Sequence, residues 1–192
     1  MKEKLFKCVI ALGCLLLSPL AASPIITAIQ KTPSPLATNQ WQSFNCKEGN
    51  CSVSFPGTPD HVSEQMILPE EGGTIQYDAY FSQPTKEGIF MVMVAKYPDF
   101  VTEELAQLSL EGFLNGLLNQ NPTHRLIFAD LILVNGHKAL DFFIHTQQTY
   151  FKGRAMMIKN SFYLIAMECE VKAYNENSYN FFISSFKLTN IK

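Results

Sequence analysis

Polar and apolar positions alternate through most of this chain, and the longest such run sets the reading of the rest. Leu126 to Val134 is an apolar stretch that ends on Asn135-Gly136, and His137 to Thr146 returns from it. Asn-Gly between two apolar runs predicts a two-residue hairpin turn, because a type I′ turn needs positive φ at both central residues. Side chains alternate faces along a strand. Leu140, Phe142 and Ile144 therefore share one face, and His137, Ala139, Asp141, Phe143 and His145 share the other. Two further strands follow, Tyr150 to Ile158 and Phe162 to Cys169, with a turn at Lys159-Asn160-Ser161. Dense Ile, Val, Phe, Tyr and Thr favour a pleated, half-buried surface over a helix here.

The same pattern organises the residues upstream. Trp41 to Phe44 and Cys51 to Phe55 alternate around Lys47-Glu48-Gly49-Asn50, a hairpin loop. Pro56-Gly57-Thr58-Pro59 forces a turn. Val62 to Leu68 predicts a short edge strand, and Thr74 to Phe81 pairs with Gly88 to Ala95. Unbroken apolar character from Ile89 to Ala95 predicts a central strand covered on both faces. Period 3.6 appears in two places. From Thr102 or Glu103 to Asn119, Leu105, Leu108, Leu114, Leu117 and Leu118 predict a helix with one apolar side. At 1.5 Å rise per residue that helix is about 25 Å long. Val171 to Ser185 predicts a second helix, with Tyr174, Tyr179, Phe182 and Phe186 facing the sheet. The fold class expected is α+β, an antiparallel sheet flanked by helices in one domain over residues 41–190.

Composition changes this picture at the N-terminus. Lys2, Lys4 and Lys7 precede an apolar run from Cys8 to Leu17, and Ser18-Pro19-Leu20-Ala21-Ala22 approaches a cleavage site. That order is a secretory signal over residues 1–22, and the run falls short of the about 20 residues of a membrane span. Gly13-Cys14 opens an alternative, a lipoprotein anchored through Cys14, although the two residues before Gly13 are in the wrong order. Residues 23–40, with Pro24, Pro33 and Pro35, read as a linker. Removal of 1–22 takes away three lysines and Glu3 and leaves a formal net charge of −4. No basic run occurs, so a nucleic-acid partner is not expected.

Candidate chemistry is sparse. Cys46 and Cys51 flank the first hairpin loop and oppose each other across two strands, within disulfide reach. An exported protein favours a structural disulfide over free thiols there. A redox pair prefers two intervening residues rather than these four, and a zinc site needs ligands that cannot be placed. Cys169 reads as an inert buried thiol. His137, Asp141 and His145 share a strand face, but four residues of strand span about 13 Å, so neighbours in the set cannot hold one metal. They become a ligand site only with a side chain from the next strand, Arg154 or Lys152. Ordinary cross-strand pairing is the simpler reading of that face. No nucleophile elbow, His-Glu-x-x-His or phosphate-cradling glycine loop is present, so no catalytic residue, metal or cofactor is assigned. Fifteen Phe and seven Tyr either fill the core or expose part of their surface as an interaction patch.

Val53-Ser54-Phe55-Pro56-Gly57-Thr58-Pro59 near the start and Phe182-Ile183-Ser184-Ser185-Phe186-Lys187-Leu188 near the end resemble the PsbP-like proteins, named after the extrinsic P subunit of photosystem II. Gly136 to Phe142, the Arg154 strand and the Phe162-Tyr163-Leu164 strand fit the same layout, and the resemblance covers Trp41 to Leu188. It implies an α/β/α sandwich and a non-enzymatic protein that binds a protein partner. No photosystem role and no site residue is carried over. The expected function is thus an exported protein-interaction or envelope accessory domain, and the alternative is a small-molecule-binding protein or enzyme using His137, Asp141 and His145. The intact mass of the protein from its native cell checks the export reading. A chain beginning at Ser23 that gains two hydrogens on reduction is expected; a lipidated chain beginning at Cys14 gives the anchored alternative.

Overall fold

A computed structural model describes residues 41–68, 73–85 and 88–189. The expected signal segment, Cys14 and the linker lie outside them. The fold is α+β. Ten strands run in chain order: β1 (Gln42–Cys46), β2 (Cys51–Phe55), β3 (Asp60–Leu68), β4 (Gly73–Thr85), β5 (Gly88–Lys96), β6 (Arg125–Val134), β7 (His137–His145), β8 (Thr149–Ile158), β9 (Ser161–Glu170) and β10 (Lys187–Leu188). Helix α1 (Ala106–Asn119) lies between β5 and β6, and α2 (Glu176–Ser185) between β9 and β10. Seven strands form one sheet in the order β3-β4-β5-β9-β8-β7-β6, and β1-β2-β10 form a small second sheet. Every pairing is antiparallel.

Local sequence explains the connections. Asn135 and Gly136 both take positive φ, 52° and 84°, as the β6–β7 turn requires. Lys159, at φ 54°, turns β8 into β9. The second helix begins later than Val171: residues Val171–Ala173 make a 3-10 turn, and Asn175 caps α2 by accepting from the Ser178 amide at 2.9 Å. An extended Asn whose side chain binds the N3 amide starts a helix there.

The large sheet is covered on both faces. On one face Met91, Met93, Leu140, Phe142, Phe162 and Leu164 meet α1 through Ala106, Leu110, Phe113 and Leu117. On the other, Phe90, Val92, Tyr163 and Ile165 meet α2 through Tyr179 and Phe182, and meet the small sheet through Cys51, Val53 and Phe55. The second layer is therefore part helix and part sheet rather than helix alone. Residues 106, 110, 113 and 117 trace one helical stripe. Leu105 and Leu108 fall off it and are exposed, at 43% and 68%. The expected apolar side of this helix was out of phase for these two leucines, because Ala106 and Phe113 complete the true stripe.

Gly153 is a point of close backbone approach within the large sheet. A Cβ there would lie 2.8 Å from Ala166 Cβ, 2.8 Å from the Ile165 carbonyl oxygen and 3.0 Å from the Phe142 ring. The carbonyl belongs to the β9 backbone and cannot yield without moving the ladder. Gly153→Ala is expected to cost about 1–3 kcal/mol by overpacking, measured as a lowered urea midpoint with unchanged slope.

Candidate functional site

The face of β7 that carries His137, Asp141 and His145 looks toward α2. Register places Arg154 of β8 directly opposite Asp141. Arg154 Nε donates to Asp141 Oδ1 at 2.6 Å and Nη2 donates to Oδ2 at 2.8 Å. This forked geometry satisfies both carboxylate oxygens. The Asp141 hydrogen bond holds the Arg154 guanidinium above its ordinary pKa, against the opposing effect of burial. His137 goes elsewhere: its Nδ1 lies 2.6 Å from Oε1 of Glu103, in the 3-10 turn before α1. His145 packs its ring on Tyr150 at 5.1 Å. The three residues thus serve three separate partners. Among the described residues no three His, Cys, Asp or Glu side chains have metal-binding geometry. The hollow beside Arg154, walled by Met156, Ile183 and Phe186, holds about 50 Å³, well below the roughly 300–1,000 Å³ of a small-molecule site.

Lys152 is the polar residue that the sequence reading left at the margin. Strand alternation puts it between Tyr150 and Arg154 on the α2 face, where it is 8% exposed. Its Nζ donates to both oxygens of Glu176, at 2.8 and 2.9 Å, and to Tyr174 Oη at 3.0 Å. Tyr174 Oη in turn donates to Glu176. Four rings surround the ammonium: Tyr179 at 4.5 Å, Phe143 at 5.1 Å, Tyr174 at 5.7 Å and Phe128 at 5.8 Å. A buried ammonium needs such company. The arrangement ties the first turn of α2 to the middle of the sheet. The Lys152 ammonium is wholly engaged by these partners, so its work is structural.

A second polar group sits near the other edge of the sheet. His61 of β3 bonds through Nε2 to Oδ1 of the buried Asp78 at 2.9 Å, and its ring stacks on Tyr80 at 4.3 Å. Tyr80 Oη donates to Glu48 in the β1–β2 loop. That hydrogen bond lowers the Glu48 carboxyl below its usual range. A His–Asp pair resembles half of a catalytic triad, yet among the described residues no Ser, Thr or Cys hydrogen-bonds to His61. Ser63 instead accepts from Gln76 at 2.9 Å. The group pins the small sheet to β4.

Cys46 and Cys51 oppose each other in register, as their spacing predicts, and in this structure both are buried thiols. The Cys51 thiol donates a hydrogen bond to Cys46, and that bond and then burial push it far up. Cys169 is also buried, and burial with the neighbouring carboxylates pushes it up to about 12. Neither Cys51 nor Cys169 is an activated nucleophile, which requires a lowered pKa.

An open apolar feature is the β6 edge. Its outer side pairs with no strand among the described residues. Leu126, Ile127, Leu131 and Leu133 are 43%, 50%, 47% and 72% exposed. A bulge between Leu126 and Phe128 interrupts the ladder to β7. The opposite edge, β3, exposes His61, Ser63, Glu64 and Gln65, with Ile67 as its apolar exception. Polar side chains of that kind blunt an edge, whereas β6 exposes four aliphatic side chains beside Arg125 and Asp130.

No family model and no curated protein matches this chain. Two solved structures have a slight likeness to it. A protein of unknown function from Pseudomonas aeruginosa aligns at 11% identity and a TM-score of 0.37, over 70% of this chain and 85% of its own. A Bacteroides thetaiotaomicron protein aligns at 10% identity and a TM-score of 0.43, over 79% of this chain and 50% of its own. Likenesses of this extent assign neither family nor activity. Among the described residues no helix is long and apolar enough to cross a membrane.

The Lys152 anchor has a pH signature. Desolvation alone would raise the Glu176 carboxyl, but the hydrogen bonds from Lys152 and Tyr174 outweigh it and the net shift is downward from 4.5. A carboxyl lowered on folding contributes stability above its unfolded pKa and loses it as pH falls through the folded value. Wild type is therefore expected to melt above Glu176→Gln at neutral pH. The gap should close as pH falls from the ordinary carboxyl range through the lowered folded value, where the carboxylate takes up its proton. Thermal melts of both proteins across that range check it.

Proposed function

We propose that this chain is an exported, non-enzymatic protein-interaction domain of the PsbP-like kind that docks its partner along β6. One observation carries the reading: exposed aliphatic side chains concentrate on a strand whose outer backbone edge is unpaired. An edge of that character accepts an added strand, main-chain hydrogen bonds giving affinity and side chains giving selection. The export half rests on the N-terminal sequence, with its basic start, apolar run and small-residue end. In an oxidising compartment Cys46 and Cys51 close into a cross-strand disulfide, passing two electrons and two protons to a disulfide of the export oxidant, which becomes a dithiol.

The alternative, a ligand or catalytic site on the His137, Asp141 and His145 face, has less support. Asp141 is saturated by Arg154, His137 is engaged by Glu103, and the adjacent hollow is too small for a metabolite. Site-specific photo-crosslinking in the native cell tests the docking reading. A photoreactive residue at Leu133 is expected to yield a covalent protein adduct, and one at Gln65 on the β3 edge none. Equal labelling at both positions, or none at either, removes β6 as the docking surface.

A further inference from the structure

We infer that the strand added to β6 is β6 of a second copy of this chain. The inference rests on the reading of β6 as a docking edge and goes on to identify the occupant. Two charges occur in β6, Arg125 and Asp130. They lie on one face of the sheet, since Arg125 pairs with His145 and Asp130 with Asp141 across the ladder. Asp130 is exposed and has no cation among the described residues; the carboxylate opposite it, Asp141, already holds Arg154. Arg125 is also exposed. Its Nη1 donates to the carbonyls of Pro122 at 2.7 Å and His124 at 3.1 Å. Nε and Nη2 take no part in those two bonds.

An antiparallel ladder about a two-fold axis between Ile127 and Phe128 puts Arg125 of each copy opposite Asp130 of the other. Leu126 then meets Ala129 of the second copy, and Ile127 meets Phe128. Leu131 and Leu133 continue onto the second copy's Pro122 to His124 turn. The aliphatic contacts supply affinity, and the two symmetric ion pairs set the register and reject others. A register with Asp130 facing itself sets like charges opposite, which is unfavourable. The pairing is isologous and uses both β6 edges, so it closes as a dimer rather than a fibre. The β6–β7 bulge, between Leu126 and Phe128, sits at the two-fold axis.

Sedimentation equilibrium of the purified mature chain over a range of concentrations tests this. Wild type, Asp130→Arg and the double variant Arg125→Asp with Asp130→Arg are compared, with thermal melts confirming that each is folded. Wild type is expected to be dimeric. Asp130→Arg replaces two attractions by two repulsions and should weaken the dimer by about tenfold or more. The charge-swapped double variant should recover to within a few-fold of wild type. A monomer at every concentration, indifference to Asp130→Arg, or failure of the double variant to recover overturns the inference. A monomer that still gives an adduct from Leu133 to a different protein in the cell overturns only the second copy and leaves the docking edge standing. A monomer with no adduct overturns both.

Discussion

β5 and β9 lie side by side at the middle of the large sheet, and each must bury both of its faces. From Ile89 to Ala95 and from Phe162 to Met167 every side chain is withdrawn from water. At about 25 cal/mol per Å² of apolar surface, withdrawing these side chains is a large favourable contribution to folding. Two faces need two covers. Helix α1 supplies one, and α2 with the β1-β2-β10 sheet supplies the other. The three-layer form of the molecule follows from that requirement, as does the tight approach at Gly153, where β8 must close against β9 under Phe142.

Polar side chains within these layers act as fasteners between elements. Lys152 joins β8 to the first turn of α2, Arg154 joins β8 to Asp141 of neighbouring β7, His61 joins β3 to Asp78 of β4, and Tyr80–Glu48 joins β4 to the β1–β2 loop. Each has a named counter-charge or hydrogen-bond partner, as groups withdrawn from water require. This accounting also weakens the case for chemistry. A catalytic or binding side chain must keep an atom available for substrate, and the charged groups of the α2 face are mostly spent on one another.

The two sheet edges are treated differently, and function is read from that contrast. β3 exposes imidazole, hydroxyl, carboxylate and amide groups with Ile67 among them, whereas β6 exposes leucine and isoleucine beside Arg125 and Asp130. Aliphatic side chains on an open edge carry a standing tendency to pair. The proposed pairing uses the bulge and the exposed Asp130 to set its register.

Much of this fold is legible in the sequence because its signals are local. Alternation marks the strands, Asn135-Gly136 specifies its turn by the φ values it permits, and the spacing of Cys46 and Cys51 places them opposite each other. Where a local pattern was ambiguous, the reading slipped: leucine count gave Leu105 and Leu108 to the core, although the helical phase belongs to Ala106, Leu110, Phe113 and Leu117. Asn175, a capping residue in plain view, would have placed the start of α2. The candidate site was legible only as a row of residues on β7. That His137, Asp141 and His145 are separately engaged, that Lys152 finds Glu176, and that His61 finds Asp78 could not be read from spacing, because each pairing spans distant elements or neighbours across a ladder. The sequence by itself determined the strands, turns and faces, since these depend on residues within a few positions of one another. Only the tertiary structure decided that β9 lies beside β5, which edge stays open and which charges are satisfied, because those depend on how the two faces of one sheet are covered.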